Sequence, residues 1–131
     1  MPRQFAHAAP AGPGTDASSI AALIERRRTA CALLGVTGVL LHTGRDFFEL
    51  FEGPDASVRR LASTISLEPM FREPRVLVDR EVDERWFRTW RVGYVAPREF
   101  DAWMSSVAIA LPQGEPATRE IKRFLDAATL E

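Results

Sequence analysis

The sequence has few of the residues on which several functional classes of protein depend. Cys31 is its only cysteine, which excludes an intrachain disulfide and a zinc site built from paired cysteines. His7 and His42 are its only histidines and leave few ligands for another metal. No run approaches the ~18 consecutive apolar residues of a membrane-spanning helix, and the N-terminal segment lacks the apolar centre of a signal peptide. We therefore expect a cytoplasmic protein that does not enter a membrane.

No charge of one sign dominates the chain either. Its 131 residues include 17 Lys and Arg against 18 Asp and Glu, for a net charge of -1. Surfaces that bind nucleic acids or anionic membranes need an excess of positive charge, so we expect neither partner. The length fits a single domain, and a hydrophobic content of 46% is typical of a folded chain rather than a disordered one.

Hydrophobic periodicity predicts a chain that mixes strands and helices. Alternating apolar residues indicate strands, and apolar residues three and four positions apart indicate helices. Strands are predicted at residues 3–9, in a hairpin over 35–53, and at 74–82 and 91–95. Helices are predicted at 16–33, 54–67 and 98–104, with a loop around 112–116 before a last amphipathic helix. The helix at 16–33 carries Cys31 on its inward, apolar side.

The order of these elements predicts the fold. A β-α-β-β-α-β-β chain followed by helices is typical of an α+β protein with a ferredoxin-like sheet. In the central strand, Phe47, Glu49 and Phe51 point to one face, and Phe48 and Leu50 point to the other. Because both faces are largely apolar, both must be covered. We expect the first two helices on one face and the C-terminal helices on the other.

Glu49 is the unusual residue of this strand, since it lies between two phenylalanines on a face that is predicted to be buried. A buried carboxylate without a partner is strongly destabilising or becomes protonated. Glu49 therefore needs a partner. His7 on a neighbouring strand is the first candidate, and an arginine from the helices is the second.

Four runs of residues, in this order, resemble the BLUF family of flavin-binding blue-light sensors. They are GVTGVLL at 35–41, DFFELFEGP at 46–54, SVRRLASTI at 57–65 and DERWFRTW at 83–90. The resemblance covers residues 4–95 and implies the ferredoxin-like fold, a role in signal transduction and blue-light reception through FAD. It also divides the chain into a BLUF-like domain at 1–96 and a C-terminal helical cap of the same domain at 97–131.

The resemblance identifies the positions that would line a flavin pocket. Family members hold FAD between the two helices on one face of the sheet, where a Tyr, an Asn and a Gln form the photoactive hydrogen-bond network. The equivalent positions of the pocket are His7, Cys31, Glu49, Met70, Phe71, Trp90 and Val92. The first three replace the Tyr, the Asn and the Gln. Met70 and Phe71 replace basic residues, Val92 replaces a Met, and Trp90 matches the family's Trp.

These replacements remove the groups that the resemblance assigns to flavin chemistry. An ionised Glu49 only accepts hydrogen bonds, whereas a Gln also donates them. His7 has no phenol to supply an electron, and Cys31 lacks an amide that both donates and accepts. We therefore expect no cofactor, and FAD is implied by the family resemblance only.

Three functions are compatible with these residues. The first is a BLUF-fold regulatory domain without flavin photochemistry, which acts by binding an unknown protein partner or as a homo-oligomer. The second is an FAD-binding blue-light sensor with altered chemistry. The third is a small enzyme or a metal site at His7, Cys31 and Glu49. We favour the first, because an inward-facing cysteine is most simply a small apolar core residue and no oxyanion-binding loop or fourth metal ligand is visible. We thus expect no catalytic residue and no metal.

Overall fold

Strands and helices follow one another in the predicted order in the computed structural model, which describes residues 1–128 and residue 130. The strands are β1 (Arg3–Pro10), β2 (Thr37–His42), β3 (Asp46–Gly53), β4 (Arg75–Glu81) and β5 (Trp90–Tyr94). The helices are α1 (Ala17–Leu34), α2 (Asp55–Ile65), α3 (Pro97–Ala110) and α4 (Glu115–Ala127), with a 3-10 turn at Leu111–Gln113. The prediction of an α+β, ferredoxin-like fold is confirmed.

The five strands form one sheet in the order β4-β1-β3-β2-β5. All neighbours are antiparallel except β2 and β5, which are parallel. The register of β1 against β3 places His7 directly opposite Glu49. Gly38 in β2 lies so close to β3 that an added Cβ would fall 1.8 Å from the carbonyl oxygen of Leu50. This close approach explains the Thr-Gly pair of β2, since only glycine fits there.

A layer of helices covers each face of the sheet. The layer of α1 and α2 buries Phe47, Phe51 and Leu40, and the layer of α3 and α4 buries Phe48 and Leu50. The ring of Phe48 lies 4.7 Å from that of Trp103 in α3. The C-terminal helices therefore cover the second face, as the alternation in β3 predicts. No helix within the described residues is both long and apolar enough to cross a membrane.

Helix α1 carries the side chains that reach the interior of the first layer. It begins after Asp16, whose carboxylate accepts a hydrogen bond from the backbone N–H of Ser19 at 2.8 Å, and it ends at Gly35 in the left-handed conformation with φ 68°. Its buried residues are Ile20, Leu23, Arg27 and Cys31. They follow the spacing of one helix face, so an arginine shares the inward stripe with three apolar residues.

The C-terminal region differs from its prediction. The helix predicted at 98–104 runs on to Ala110, because the residues between contain no breaker until Pro112. The loop predicted around 112–116 is replaced by the end of the 3-10 turn, by Gly114 with φ 74°, and by the first residues of α4. Helix α4 then begins at Glu115, with Pro116 in its first turn, where a missing N–H is tolerated.

Candidate functional site

His7 and Glu49 meet between the sheet and the layer of α1 and α2. The Nε2 atom of His7 lies 3.0 Å from Oε1 of Glu49, and neither residue is accessible to solvent. Both lie on neighbouring strands, in register, and point to the same face. The prediction that His7 is a partner of Glu49 is confirmed.

Arg27 is the second partner of Glu49. From α1 its Nε donates to Oε2 of Glu49 at 2.7 Å, and its Nη2 donates to Oε1 at 3.1 Å. This bidentate geometry matches the flat fork of a guanidinium to a carboxylate. The same guanidinium lies 5.7 Å from the ring centre of Phe51 and 5.8 Å from that of Phe71, which are distances for cation–π contact. Arg27 is thus held on several sides, with 10% of its side chain exposed.

The ion pair is charged despite its burial. Desolvation alone would raise the pKa of Glu49, but the hydrogen bond from His7 and the charge of Arg27 outweigh it and hold this pKa below its usual value. Desolvation likewise opposes the charged form of Arg27, and the Glu49 carboxylate outweighs it and raises the pKa of Arg27. The two charges cancel, so the buried site carries no net charge from this pair.

The hydrogen bonds determine which nitrogen of His7 carries a proton. An ionised Glu49 can only accept, so the Nε2 atom of His7 must donate. The Nδ1 atom is buried and has no hydrogen-bond partner among the described residues. A neutral imidazole protonated at Nε2 leaves only an acceptor unsatisfied.

Cys31 lies one turn after Arg27 on the same helix face and is 1% exposed. Burial and the nearby charge of Glu49 raise the pKa of its thiol to about 12, while Arg27 acts in the opposite direction. The nucleophilic and metal-binding form of cysteine is the thiolate. A thiol with this pKa is protonated at neutral pH and is a poor nucleophile and a poor metal ligand.

The other predicted pocket positions lie in the same layer. Phe71 is buried, with its ring 5.0 Å from that of His7 and 5.2 Å from that of Phe47. Val92 is buried, and Met70 and Trp90 are partly buried against the same apolar core. The Arg28 guanidinium lies 5.3 Å from the ring centre of Trp90. All seven positions thus belong to the layer of α1 and α2, and direct contacts join His7 to Glu49 and to Phe71.

Sequence reasoning did not single out Arg27. Its signal was its position, because it lies four residues after Leu23 and four before Cys31, on the inward stripe of α1. An arginine on an apolar stripe indicates a buried anion, and Glu49 is the carboxylate predicted to be buried. The arginine on the apolar stripe and the buried carboxylate therefore account for each other's burial.

Glu52 is a second buried carboxylate that sequence reasoning missed. It is fully buried on the opposite face of β3 from Glu49 and accepts hydrogen bonds from the backbone N–H groups of Trp86, at 2.7 Å, and Phe87, at 2.9 Å. It also accepts one from the side-chain amide of Gln4 at 2.8 Å. These bonds tie the segment before β5 to the end of β3.

The described residues contain no group of three or more His, Cys, Asp or Glu side chains that could hold a metal ion. A groove of about 790 Å³ lies on the other side of the molecule, between the sheet and α3. Its lining includes the apolar Leu77, Phe100 and Met104, the arginines Arg72 and Arg75, and the acidic residues Asp46, Glu73 and Asp101. Neither arginine forms an ion pair with a residue that the structure describes.

Comparison with solved structures supports the fold. BlrB, a BLUF protein in its dark state, superposes with a TM-score of 0.75 at 22% identity, over 96% of both chains. BlsA in its photo-activated state gives 0.74 at 21% identity, over 98% of this chain and 94% of that one. BlrP1 from Klebsiella pneumoniae, in a complex with calcium and cy-diGMP, gives 0.65 at 26% identity. That match covers 75% of this chain but 25% of BlrP1, so this chain spans about a quarter of the BlrP1 length.

Comparison of the sequence alone gives the family. No curated protein matches the chain. Residues 4–93 match BLUF, described as sensors of blue-light using FAD. Because this match covers most of the chain and reaches from β1 into β5, the chain belongs to the BLUF family of blue-light sensor domains.

Proposed function

We propose that this chain is a BLUF-family regulatory domain that works without flavin photochemistry and acts by binding another protein. The observation that carries the proposal is the state of Glu49, at the position that the family resemblance assigns to the photoactive Gln. Both of its carboxylate oxygens are engaged by Arg27 and His7, and its pKa is lowered. An ionised carboxylate cannot donate a hydrogen bond or exchange donor and acceptor roles as an amide does.

The residues of the site do not fit a flavin ring. The heteroatom edge of a flavin needs donors as well as acceptors, and here the donors of Arg27 and His7 are used on Glu49. A carboxylate would face the flavin oxygens with a negative charge. Phe71 and Met70 offer neither charge nor hydrogen bonds where the family has basic residues. FAD binding is therefore expected to be poor.

The geometry argues against an enzyme or a metal site at His7, Cys31 and Glu49. Cys31 is held as the protonated thiol, and the Nε2 atom of His7 faces Glu49 rather than the sulfur. A nucleophile needs a base within hydrogen-bond reach. A metal would have to compete with Arg27 for the same carboxylate oxygens.

The groove beside α3 supports the protein-binding part of the proposal. It joins apolar side chains to charged side chains of both signs, including two arginines that have no ion pair with a described residue, and protein interfaces combine an apolar centre with a polar rim and are enriched in arginine. BlrP1, of which this chain matches only a part, shows that a BLUF domain can occur within a larger protein. In this chain the output would pass through contacts with another chain.

An absorption spectrum tests the proposal. The protein is purified in the dark from flavin-supplemented cells, beside BlrP1, for which a structure with FMN is known. We expect no stoichiometric FAD after denaturation and no light-induced red shift of a flavin band. Tightly bound flavin with a reversible shift on illumination would contradict the proposal and support a working blue-light sensor instead.

The protein-binding role needs a separate test at the groove. A partner captured by the wild-type chain should be lost on Arg75→Glu, which reverses a charge in the groove lining. Arg98→Glu, an equivalent change on an exposed residue outside the groove lining, should retain it. Equal capture by both variants would place the contact elsewhere.

A further inference from the structure

We infer that Arg27 is the residue that closes this pocket to flavin, because its guanidinium acts as a built-in planar ligand of the site. This inference rests on the proposed function and names the residue responsible for it. The replacements at His7, Cys31 and Glu49 change the hydrogen-bonding chemistry of the pocket. Arg27 changes whether there is space for a ring at all.

The contacts of Arg27 are those that a protein gives to a bound flat cation. Its guanidinium donates two hydrogen bonds to one carboxylate, at 2.7 and 3.1 Å. The rings of Phe51 and Phe71 approach it at 5.7 and 5.8 Å. Guanidinium groups combine flat shape, forked donors and weak hydration, so they suit such aromatic, carboxylate-bearing sites.

Side-chain size distinguishes Arg27 from the residues at the positions of the family's Tyr, Asn and Gln. Histidine is smaller than tyrosine, cysteine is smaller than asparagine, and glutamate is about as large as glutamine. Without another change, His7 and Cys31 would leave the pocket larger. Glu49 would leave its size unchanged. These residues are nevertheless almost completely buried. The long side chain of Arg27, which crosses from α1 to β3, is a large group that fills this space.

The first test removes the guanidinium of Arg27 and the carboxylate of Glu49 together. Arg27→Ala/Glu49→Gln leaves no lone buried charge and places an amide at the family position. We expect it to bind FAD, measured in the dark by quenching of flavin fluorescence, at least about tenfold more tightly than the wild type, a difference of about 1.4 kcal/mol. Glu49→Gln alone retains Arg27 and should not gain affinity. Arg26→Ala/Glu49→Gln is the matched control, since Arg26 is the neighbouring, exposed arginine of α1.

Each outcome bears on a different claim. Equal FAD affinity in the Glu49→Gln and Arg27→Ala/Glu49→Gln proteins, or no binding by a folded double variant, would overturn the assignment of Arg27. Flavin bound stoichiometrically by the wild type would instead contradict the proposed function. The two failures are therefore distinguishable.

A second test does not depend on flavin. Arg27→Ala alone leaves a cavity beside a buried carboxylate, which methylguanidinium can fill with the same forked hydrogen bonds. Millimolar methylguanidinium should raise the melting temperature of this variant in a saturable way, and methylammonium, which lacks the flat fork, should not. The wild type and Arg27→Ala/Glu49→Gln should not respond. The same response to both cations would show that Arg27 supplies only charge and would overturn the ligand assignment.

Discussion

Replacing Glu49 by glutamine is the sharpest single test of how this site is held together. The change keeps the shape of the side chain and restores the residue that the family resemblance assigns to this position, yet it removes the one negative charge among the described residues that lies within hydrogen-bond distance of Arg27. The new amide can accept through one oxygen, while its NH2 group must face a donor of Arg27 or His7. Breaking one half of a buried ion pair costs about 3 to 5 kcal/mol.

Urea unfolding measures this cost. Circular dichroism and tryptophan fluorescence give the free energy of unfolding, and we expect Glu49→Gln to lower it by about 3 to 5 kcal/mol. Glu25→Gln is the matched control, because Glu25 pairs with Arg28 and both side chains are exposed, at 72% and 50%. Exposed ion pairs contribute about 0 to 1 kcal/mol. Equal losses in the two variants would refute the buried-pair reasoning.

A double-mutant cycle separates the ion pair from its surroundings. With Arg27→Met as the second substitution, the Glu49→Gln/Arg27→Met protein should be more stable than the sum of the single losses implies, because neither residue is left as a lone buried charge. Additive losses would show that Arg27 and Glu49 act independently.

Acid should remove the contribution of Glu49. Its folded pKa is lowered, so its stabilising effect is fully present above the unfolded value of ~4.3 and is lost as pH falls through the folded pKa. The difference in unfolding free energy between the wild type and Glu49→Gln should therefore shrink at acidic pH. A difference that stays constant over this range would mean that Glu49 is not ionised in the fold.

Three further outcomes follow from other buried residues. Cys31, with a thiol pKa of about 12, should resist alkylation in the native state and react only as the protein unfolds; fast native labelling would contradict its burial. Glu52→Gln should speed hydrogen exchange at the backbone amide of Trp86 and lower the free energy of unfolding by about 1 to 3 kcal/mol, because a glutamine has one accepting oxygen where the carboxylate has two. Unchanged exchange would show that these hydrogen bonds do not hold the segment in place. Deleting residues 97–131 should give an aggregating chain, since the fold loses ~1.5 to 3 kcal/mol of stability for each large apolar side chain that is uncovered on the sheet. A soluble, folded truncation would contradict this expectation and the assignment of these residues to the same domain.

The fold could be predicted from sequence because its signals are local. The alternation in β3 and the stripe of α1 each lie within one element, and together they fix which faces need cover. The sequence predicts an end of α3 at Met104, before the observed end at Ala110, because local patterns indicate the presence of a helix more clearly than its ends. The weak helix formers Ser105 and Ser106 directly follow Met104, but they do not stop a helix whose inward residue Val107 is buried against the sheet.

The site could be predicted only in part because its contacts are distant in sequence. Strand pairing places His7 against Glu49, and parity alone indicates that pair. Arg27 requires the crossing of α1 over β3, which periodicity does not give. Glu52 is also hidden from local patterns, since its partners are backbone N–H groups of a segment far along the chain.

The buried pair also bears on how the two layers of this protein could communicate. Strand β3 carries Glu49 toward α1 and Glu52 toward the segment before β5, on opposite faces. A binding partner shifts β3 only if it binds one arrangement of the strand more tightly than another. Arg27 is part of α1 and therefore occupies the pocket permanently. Unlike a ligand that binds and dissociates, it cannot carry a signal from outside the protein. Without flavin, a signal would enter through the surface, and the groove beside α3, which is lined by apolar side chains and by charged side chains of both signs, is the entry point that we propose.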